Sequence, residues 1–269
     1  MTPGTPHPSL HSTEVDGTGR LVVFLHGLFG QGKNFAGIAK SLSPAHRSLL
    51  VDLPDHGRSA WTGRLDYVVM ADAVAALLRD RDPSAEPVHV VGHSMGGKVA
   101  MQLALRHPDL VARLVVLDIS PADVTESGEF AHLLDALSGL DLSSIDSRGE
   151  ADDALAAAIP SPTVRGFLLQ NLRRRHDEAG GWAWRANLAM LRRDLPEISG
   201  FPGHDGPPFD GPVLWVAGER SDYVRPEHEP AMRALFPRTR LLTIKGAGHW
   251  VHSERPEVVV EALRVFLTD

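Results

Sequence analysis

The sequence predicts an α/β fold: a mostly parallel β-sheet flanked by helices and interrupted by a helical cap insertion. Three observations carry that expectation. Short, unbroken apolar runs recur along the chain, as strands buried on both faces require. Segments of helical period separate them. From about residue 122 to 212 the apolar runs stop, while helical patterns continue.

The first twelve residues are rich in Pro, Thr and His and read as a loose tail. Core residues 13–121 follow. Their strands are expected at 21–25, 48–51, 88–91 and 114–117, and their helices at 33–42, 67–79 and 95–106. The insertion, 122–211, holds one helical face with Leu133, Leu134 and Leu137, and a second pattern through Phe167, Leu168, Leu169 and Leu172. A third has Leu188, Leu191 and Leu195, and a Gly/Pro-rich return runs from 200 to 212. Residues 212–269 rejoin the sheet, with strands at 213–217 and 241–244 and helices at 227–235 and 256–267.

Composition narrows the function. The net charge is −7, which gives no reason to seek nucleic acid or an anionic membrane. There is no cysteine, so disulfides, thiolate metal sites and a cysteine nucleophile are excluded. No apolar stretch reaches the roughly 20 residues that span a bilayer. A cytoplasmic protein is expected, and its oligomeric state is not legible.

Gly92-His93-Ser94-Met95-Gly96 fits the G-x-S-x-G elbow, and it stands where that motif belongs, between a buried strand and a helix. The sharp turn forces Ser94 into a strained backbone conformation and lifts its hydroxyl clear of the sheet. The helix N-terminus favours developing negative charge. A serine hydroxyl is a weak nucleophile and needs a base. His249, in the glycine-rich loop after the last strand, is the candidate, with His252 the local competitor. That histidine pair has no carboxylate cluster around it, so no metal is expected.

Two acids are candidates to orient His249. Asp118 follows the strand after the elbow helix, and Asp222 follows the later strand. In this arrangement an acid at the later strand commonly stands three residues after a glycine. Counted from Gly218, that place is Ser221, and Asp222 is one further. Either acid would hold the imidazole tautomer and stabilise the imidazolium. An oxyanion hole is expected from the backbone N–H groups of Leu28 and Met95, with Phe29 as the alternative to Leu28. Each such donor is worth about 3 kcal/mol in related chemistry. The polar turn 52–59 is expected to brace the His26-Gly27 loop, and His26 itself to be structural. Phe29, Phe167, Trp184 and Trp250 are candidates to touch substrate. Arg173, Arg174, Arg175, Arg192 and Arg193 form a basic cluster in the insertion. It is either a solvated helix face or a dock for an anionic leaving group such as a coenzyme A phosphate.

From about Leu21 to Leu267 the chain resembles the α/β-hydrolase superfamily, and within it the small-esterase branch typified by abhydrolase domain-containing protein eleven. The matching stretches are His26–Gly30, Asp55–Ser59, Gly92–Lys98, Leu117–Pro121, Phe167–Leu172, Trp184–Leu188 and Gly248–His252. The resemblance implies Ser94, Asp118 and His249 as triad and no cofactor. It also implies hydrolysis of small acyl esters, sometimes acyl thioesters, through an acyl-serine intermediate. This sequence differs from the branch in carrying Asp222. Carbon–carbon bond hydrolases and cofactor-free haloperoxidases or perhydrolases share the triad and are the enzymatic alternatives. A slow-turnover ligand receptor on the same scaffold is the alternative of another class.

Overall fold

The computed structural model describes residues 7–82, 86–123, 128–175 and 180–268. The first six residues of the expected tail lie outside that set.

The strands are β1 (Ser12–Val15), β2 (Leu21–Leu25), β3 (Arg47–Val51), β4 (Val88–His93), β5 (Val111–Leu117), β6 (Leu172–Arg174), β7 (Trp182–Trp184), β8 (Val213–Gly218) and β9 (Thr239–Ile244). The helices are α1 (Ala36–Leu42), α2 (Tyr67–Arg81), α3 (Met95–Arg106), α4 (Gly128–Ser138), α5 (Arg148–Leu155) and α6 (Pro162–Leu169). After them come α7 (Leu188–Arg193), α8 (Leu195–Ser199), α9 (Glu229–Leu235), α10 (Val251–Glu254) and α11 (Pro256–Phe266). Seven strands form one sheet in the order β1-β3-β2-β4-β5-β8-β9, parallel except for β1.

The apolar runs are buried because both faces of the sheet are covered. Successive side chains alternate between two cores. Val23 and Leu25 of β2, Leu114 and Val116 of β5, and Val213 and Trp215 of β8 pack with α2 and α3. Val22 and Phe24, Val115 and Leu117, and Leu214 and Val216 pack on the opposite face with α1 and α11. Gly92 sits opposite Leu25, His93 opposite Leu117, and Leu117 opposite Val216. The carboxyl ends of β2, β4, β5 and β8 therefore lie level, and the loops after them open on one rim, where ligands bind in open parallel sheets.

The structure corrects the sequence reading in three places. Residues 9–12, expected as loose tail, are tied down. The Ala60 and Asp52 N–H groups donate to Ser9 O and His11 O, and Ser12–Val15 pairs antiparallel with β3. Short, half-polar strands at a sheet edge carry little periodic signal. Leu172, assigned to a helical pattern, instead begins β6 and pairs with Trp184. The pattern of Leu188, Leu191 and Leu195 is two helices, because Pro196 cannot continue α7 and stands in the first turn of α8.

Among the described residues between β5 and β8, nothing joins the main sheet. That segment docks on the rim through side-chain amides. Asn171 Nδ2 donates to Phe29 O at 2.7 Å and Asn187 Nδ2 to Asp55 Oδ1 at 2.8 Å. Gln31 Nε2 donates to Asn171 Oδ1 at 3.2 Å, and Asn34 Nδ2 to Gln170 Oε1 at 2.9 Å. Asn171→Ala leaves the carbonyl of buried Phe29 without this donor. The expected cost is about 1–3 kcal/mol of unfolding free energy, read by urea titration. A loss well below that range means water or another donor replaces the amide.

Candidate active site

Strand β4 ends in a turn that puts Ser94 at φ +52°, ψ −120°, immediately before α3. Only small neighbours permit it. A Cβ at Gly92 would meet Gly96 O at 2.3 Å, and a Cβ at Gly96 would meet Leu25 O at 2.3 Å. The strain of the left-handed backbone is thus held by contacts between strand and helix that leave no room to relax.

Ser94 Oγ lies 2.9 Å from His249 Nε2, and His249 Nδ1 lies 2.8 Å from Asp118 Oδ2. With the ring proton on Nδ1, the imidazole donates to the carboxylate and accepts from the serine hydroxyl. Asp118 is fully buried and has φ +51°. Its Oδ1 accepts from Gly218 N at 2.8 Å, and the Ser221 hydroxyl donates to the same Oδ2 that faces His249. These donors satisfy oxygens that burial removes from water. Two further contacts hold the imidazole. His93 Nε2 donates to His249 O at 2.9 Å, and the Tyr223 ring lies over the imidazole with centroids 4.1 Å apart.

Asp222 is elsewhere. Its side chain is 85% exposed and faces Arg225 Nε at 3.5 Å. The one-residue step past Ser221 turns it out of the site. The place where a later-strand acid would stand is taken by Ser221, which bonds to the earlier acid instead.

Leu28 and Met95, whose backbone N–H groups are the expected oxyanion donors, line the same small cavity as Ser94. Among the described residues neither has a protein acceptor. Phe29, the alternative donor, is excluded: its N–H is 3.2 Å from His56 Nε2, which accepts from it. The polar turn after β3 does brace the loop. His26 Nε2 accepts from Leu53 N at 2.9 Å, and Asp52 Oδ1 accepts from Gly32 N at 2.8 Å. Gly57, at φ +58°, gives Asp52 its room, since a Cβ there would lie 2.2 Å from that carboxylate.

The cavity holds about 30 Å³ and is lined by Leu28, Met95, Ile119, Phe130, Leu195 and Ile198, with Tyr223, Ser199 and Lys98. None of the four residues expected to touch substrate lines it. Phe29 is buried beneath the loop, and Trp184 belongs to β7. Phe167 and Trp250 line a separate groove on the outer side of the His249 loop. The aromatic signal could not separate these residues from Phe130 and Tyr223, because which ring meets the hydroxyl depends on how α4 and the 218–223 turn dock. Lys98 has no proton to offer a substrate: its ammonium donates to the carbonyls of Ile198, Ser199 and Gly200 at 2.7–2.9 Å. The basic cluster of the insertion also disperses. Arg192 pairs with Asp135, Arg193 pairs with Asp194, and Arg174 stacks on Trp182.

His252 is not the base. Its ring packs on Phe35 and His93, and burial pushes its pKa down to about 4. Among the described residues no group of three or more histidine or acidic side chains is placed to hold a metal.

A parallel sheet with a serine elbow, a histidine loop and an acid on one rim defines a serine hydrolase of the α/β type. The comparisons agree. A sequence profile described as "alpha/beta hydrolase fold" matches residues 20–256. The chain is 39% identical over 259 residues to the sn-1-specific diacylglycerol lipase ABHD11 of Mus musculus, covering 94% of this chain and 82% of that one. It is 32% identical to Esterase YbfF of Escherichia coli (strain K12), covering 92% and 93%. A solved marine microorganism esterase superposes with a TM-score of 0.92 at 32% identity, covering 96% and 99%. The chain belongs to the α/β-hydrolase fold family, and within it is ABHD11-like.

Several histidines at the site are buried and neutral, and this gives stability a pH dependence. Burial, then the neighbouring His56 charge, brings His26 down to about 3. Burial also lowers His56, and it lowers His93 well below its ordinary value. The unfolded chain binds these protons near pH 6.5, before the folded one does. Stability is therefore fully present above about pH 6.5 and falls as pH drops toward the folded values. Urea unfolding between pH 7.5 and 5 is expected to lose more than the ~1.4 kcal/mol per pH unit that one proton supplies. A flat profile over that interval contradicts neutral burial.

Proposed function

We propose that Ser94, His249 and Asp118 are the catalytic triad of a serine esterase that cleaves small acyl esters or thioesters, with the N–H groups of Leu28 and Met95 as oxyanion hole. Esterase chemistry is that of the branch to which the chain belongs, and the protein is a serine hydrolase of that kind. The observation that carries the residue assignment is the continuous hydrogen-bonded line from Ser94 Oγ through His249 to Asp118.

Each step follows from that line. His249 Nε2 takes the hydroxyl proton as Ser94 Oγ attacks the acyl carbon. The tetrahedral oxyanion falls between the N–H groups of Leu28 and Met95, where negative charge is also favoured by the N-terminus of α3. Asp118 stabilises the imidazolium that forms and does not itself take the proton. Collapse breaks the ester or thioester bond, and His249 gives its proton to the departing alcohol or thiol. A water activated by the same imidazole then hydrolyses the acyl-serine and restores the hydroxyl.

The narrow, mainly apolar cavity supports a short acyl group. Residues 122–211 are proposed to act as a cap over a core formed by 13–121 and 212–269, with α4 and α8 closing the acyl side. A cytoplasmic location is likewise proposed, on the acidic, cysteine-free composition. No described helix is long and apolar enough to cross a membrane.

Fluorophosphonate labelling and p-nitrophenyl butyrate hydrolysis test the reading together. Ser94→Ala is expected to abolish both. Asp118→Asn should lower kcat at least about a hundredfold, and Asp222→Asn less than about twofold. The opposite order for the two acids overturns the assignment. In a graded acyl series, kcat/KM should fall beyond butyrate. A rise toward long chains would mean that the cap opens a deeper acyl site.

A further inference from the structure

We propose that the outer seam between the polar turn after β3, the 3₁₀ turn after the oxyanion loop and the β6–β7 pair binds a phosphorylated anion, held by Lys33, Arg58, Arg148, Arg173 and Arg185. The proposal adds a substrate class to the esterase reading, an ester or thioester whose leaving group carries phosphate, and it rests on that reading only in that respect.

Contacts between elements bring these cations together. Leu172 pairs with Trp184 across the β6–β7 ladder, so Arg173 and Arg185, each the next residue, flank the same rung. Arg148 Nη2 donates to Leu172 O at 2.5 Å, and Arg185 N donates to Asn171 O at 2.8 Å. Asn171 is bonded in turn by Gln31, two residues before Lys33. The Trp61 indole donates to Arg185 O at 3.1 Å, which draws in the turn that carries Arg58.

Among the described residues none of the five cations has a carboxylate partner. The chain as a whole carries 34 acidic and 27 basic side chains, so the seam is a local concentration of positive charge on a net-negative protein. Elsewhere Arg106, Arg165, Arg192, Arg193 and Arg233 each meet a carboxylate. Asp52 lies behind the seam, but it is buried and already accepts from the Gly32 and Arg58 N–H groups. The cations also feel one another. Partial burial and the neighbouring guanidiniums of Arg185, Arg148 and Arg58 hold the Lys33 ammonium below its ordinary value. Partial burial, Arg58, Arg173 and Arg148 do the same to Arg185. A dianionic phosphate relieves that repulsion and accepts several charge-assisted hydrogen bonds at once. Beside the seam, Trp61 is 57% exposed and offers a flat face to a base or to the headgroup level of a lipid.

A chain of hydrogen bonds also links the seam to the oxyanion loop. Asn171, bonded to Arg185 on one side, holds Phe29 O on the other, one residue beyond the oxyanion donor Leu28.

The test measures binding, not turnover, so that its failure and failure of the esterase reading remain distinct. Ser94→Ala protein is titrated calorimetrically with adenosine 3′,5′-bisphosphate and with inorganic phosphate, and sedimented with phosphatidylcholine vesicles with and without phosphatidylglycerol. Saturable binding is expected, weakened at least about tenfold by Arg58→Gln/Arg185→Gln and by raised salt. Arg264→Gln, which removes a cation paired with Glu261 on α11, serves as control and should bind as the parent does. Binding of the bisphosphate assigns the phosphate to a small molecule, and binding only of phosphatidylglycerol vesicles assigns it to a lipid headgroup. No binding in either arm, or equal binding by the double variant and the control, overturns the proposal.

Discussion

The site depends on the steric lock around Ser94. A left-handed serine is costly on its own, and it persists only where its surroundings leave no alternative. Here the strand before it and the helix after it approach so closely that a methyl group at Gly92 or at Gly96 would overlap backbone atoms. The same approach sets the first turn of α3 against the end of β2. Met95 and Leu28 therefore line one cavity with Ser94. The proposed nucleophile and the proposed oxyanion donor Met95 are thus positioned by one close contact between backbones.

The acid shows how a parallel sheet tolerates relocation of a functional group. Strands β5 and β8 are neighbours, and their carboxyl ends lie level. A carboxylate at the end of β5 reaches His249 as directly as one at the end of β8 would. Asp118 adopts a left-handed backbone to do so, held by its N–H on Val216 O and by the Trp215 indole on the next carbonyl. The β8 end contributes a hydroxyl, Ser221, and a main-chain N–H, Gly218, to the carboxylate. The two strand ends share the work of satisfying one buried carboxyl group.

Buried polar pairs tie the rim loops to each other and to the elements above them. His26 and His56 each donate to a carbonyl of their own turn and accept an N–H from the opposite turn, which requires neutral rings of fixed tautomer. Asn171 and Asn187 extend that lattice upward, and the Lys98 ammonium ends α8 by taking its last carbonyls. The cavity beside Ser94 is thus bounded by segments far apart in the chain, and the Lys98 contacts seat α8 on its rim.

Much of this was legible from residue order. Buried parallel strands read as unbroken apolar runs, and the elbow glycines, the loop histidine and the oxyanion loop each follow a run that marks a strand end. These features are local: each is dictated by neighbours within a few residues, so the sequence by itself determined the α/β architecture and nominated Ser94, His249, Leu28 and Met95. It left Asp118 and Asp222 as rivals, because both follow strands that open on the same rim. It offered Phe29 as a donor because nothing nearby in sequence shows His56 accepting from its N–H. The pocket-lining Phe130, Tyr223 and Ile198, and the gathering of Lys33 with Arg58 and Arg185, were decided only by the tertiary structure. Each depends on which way a side chain turns after a docking contact more than a hundred residues away in the chain, and a linear pattern carries no information about that angle.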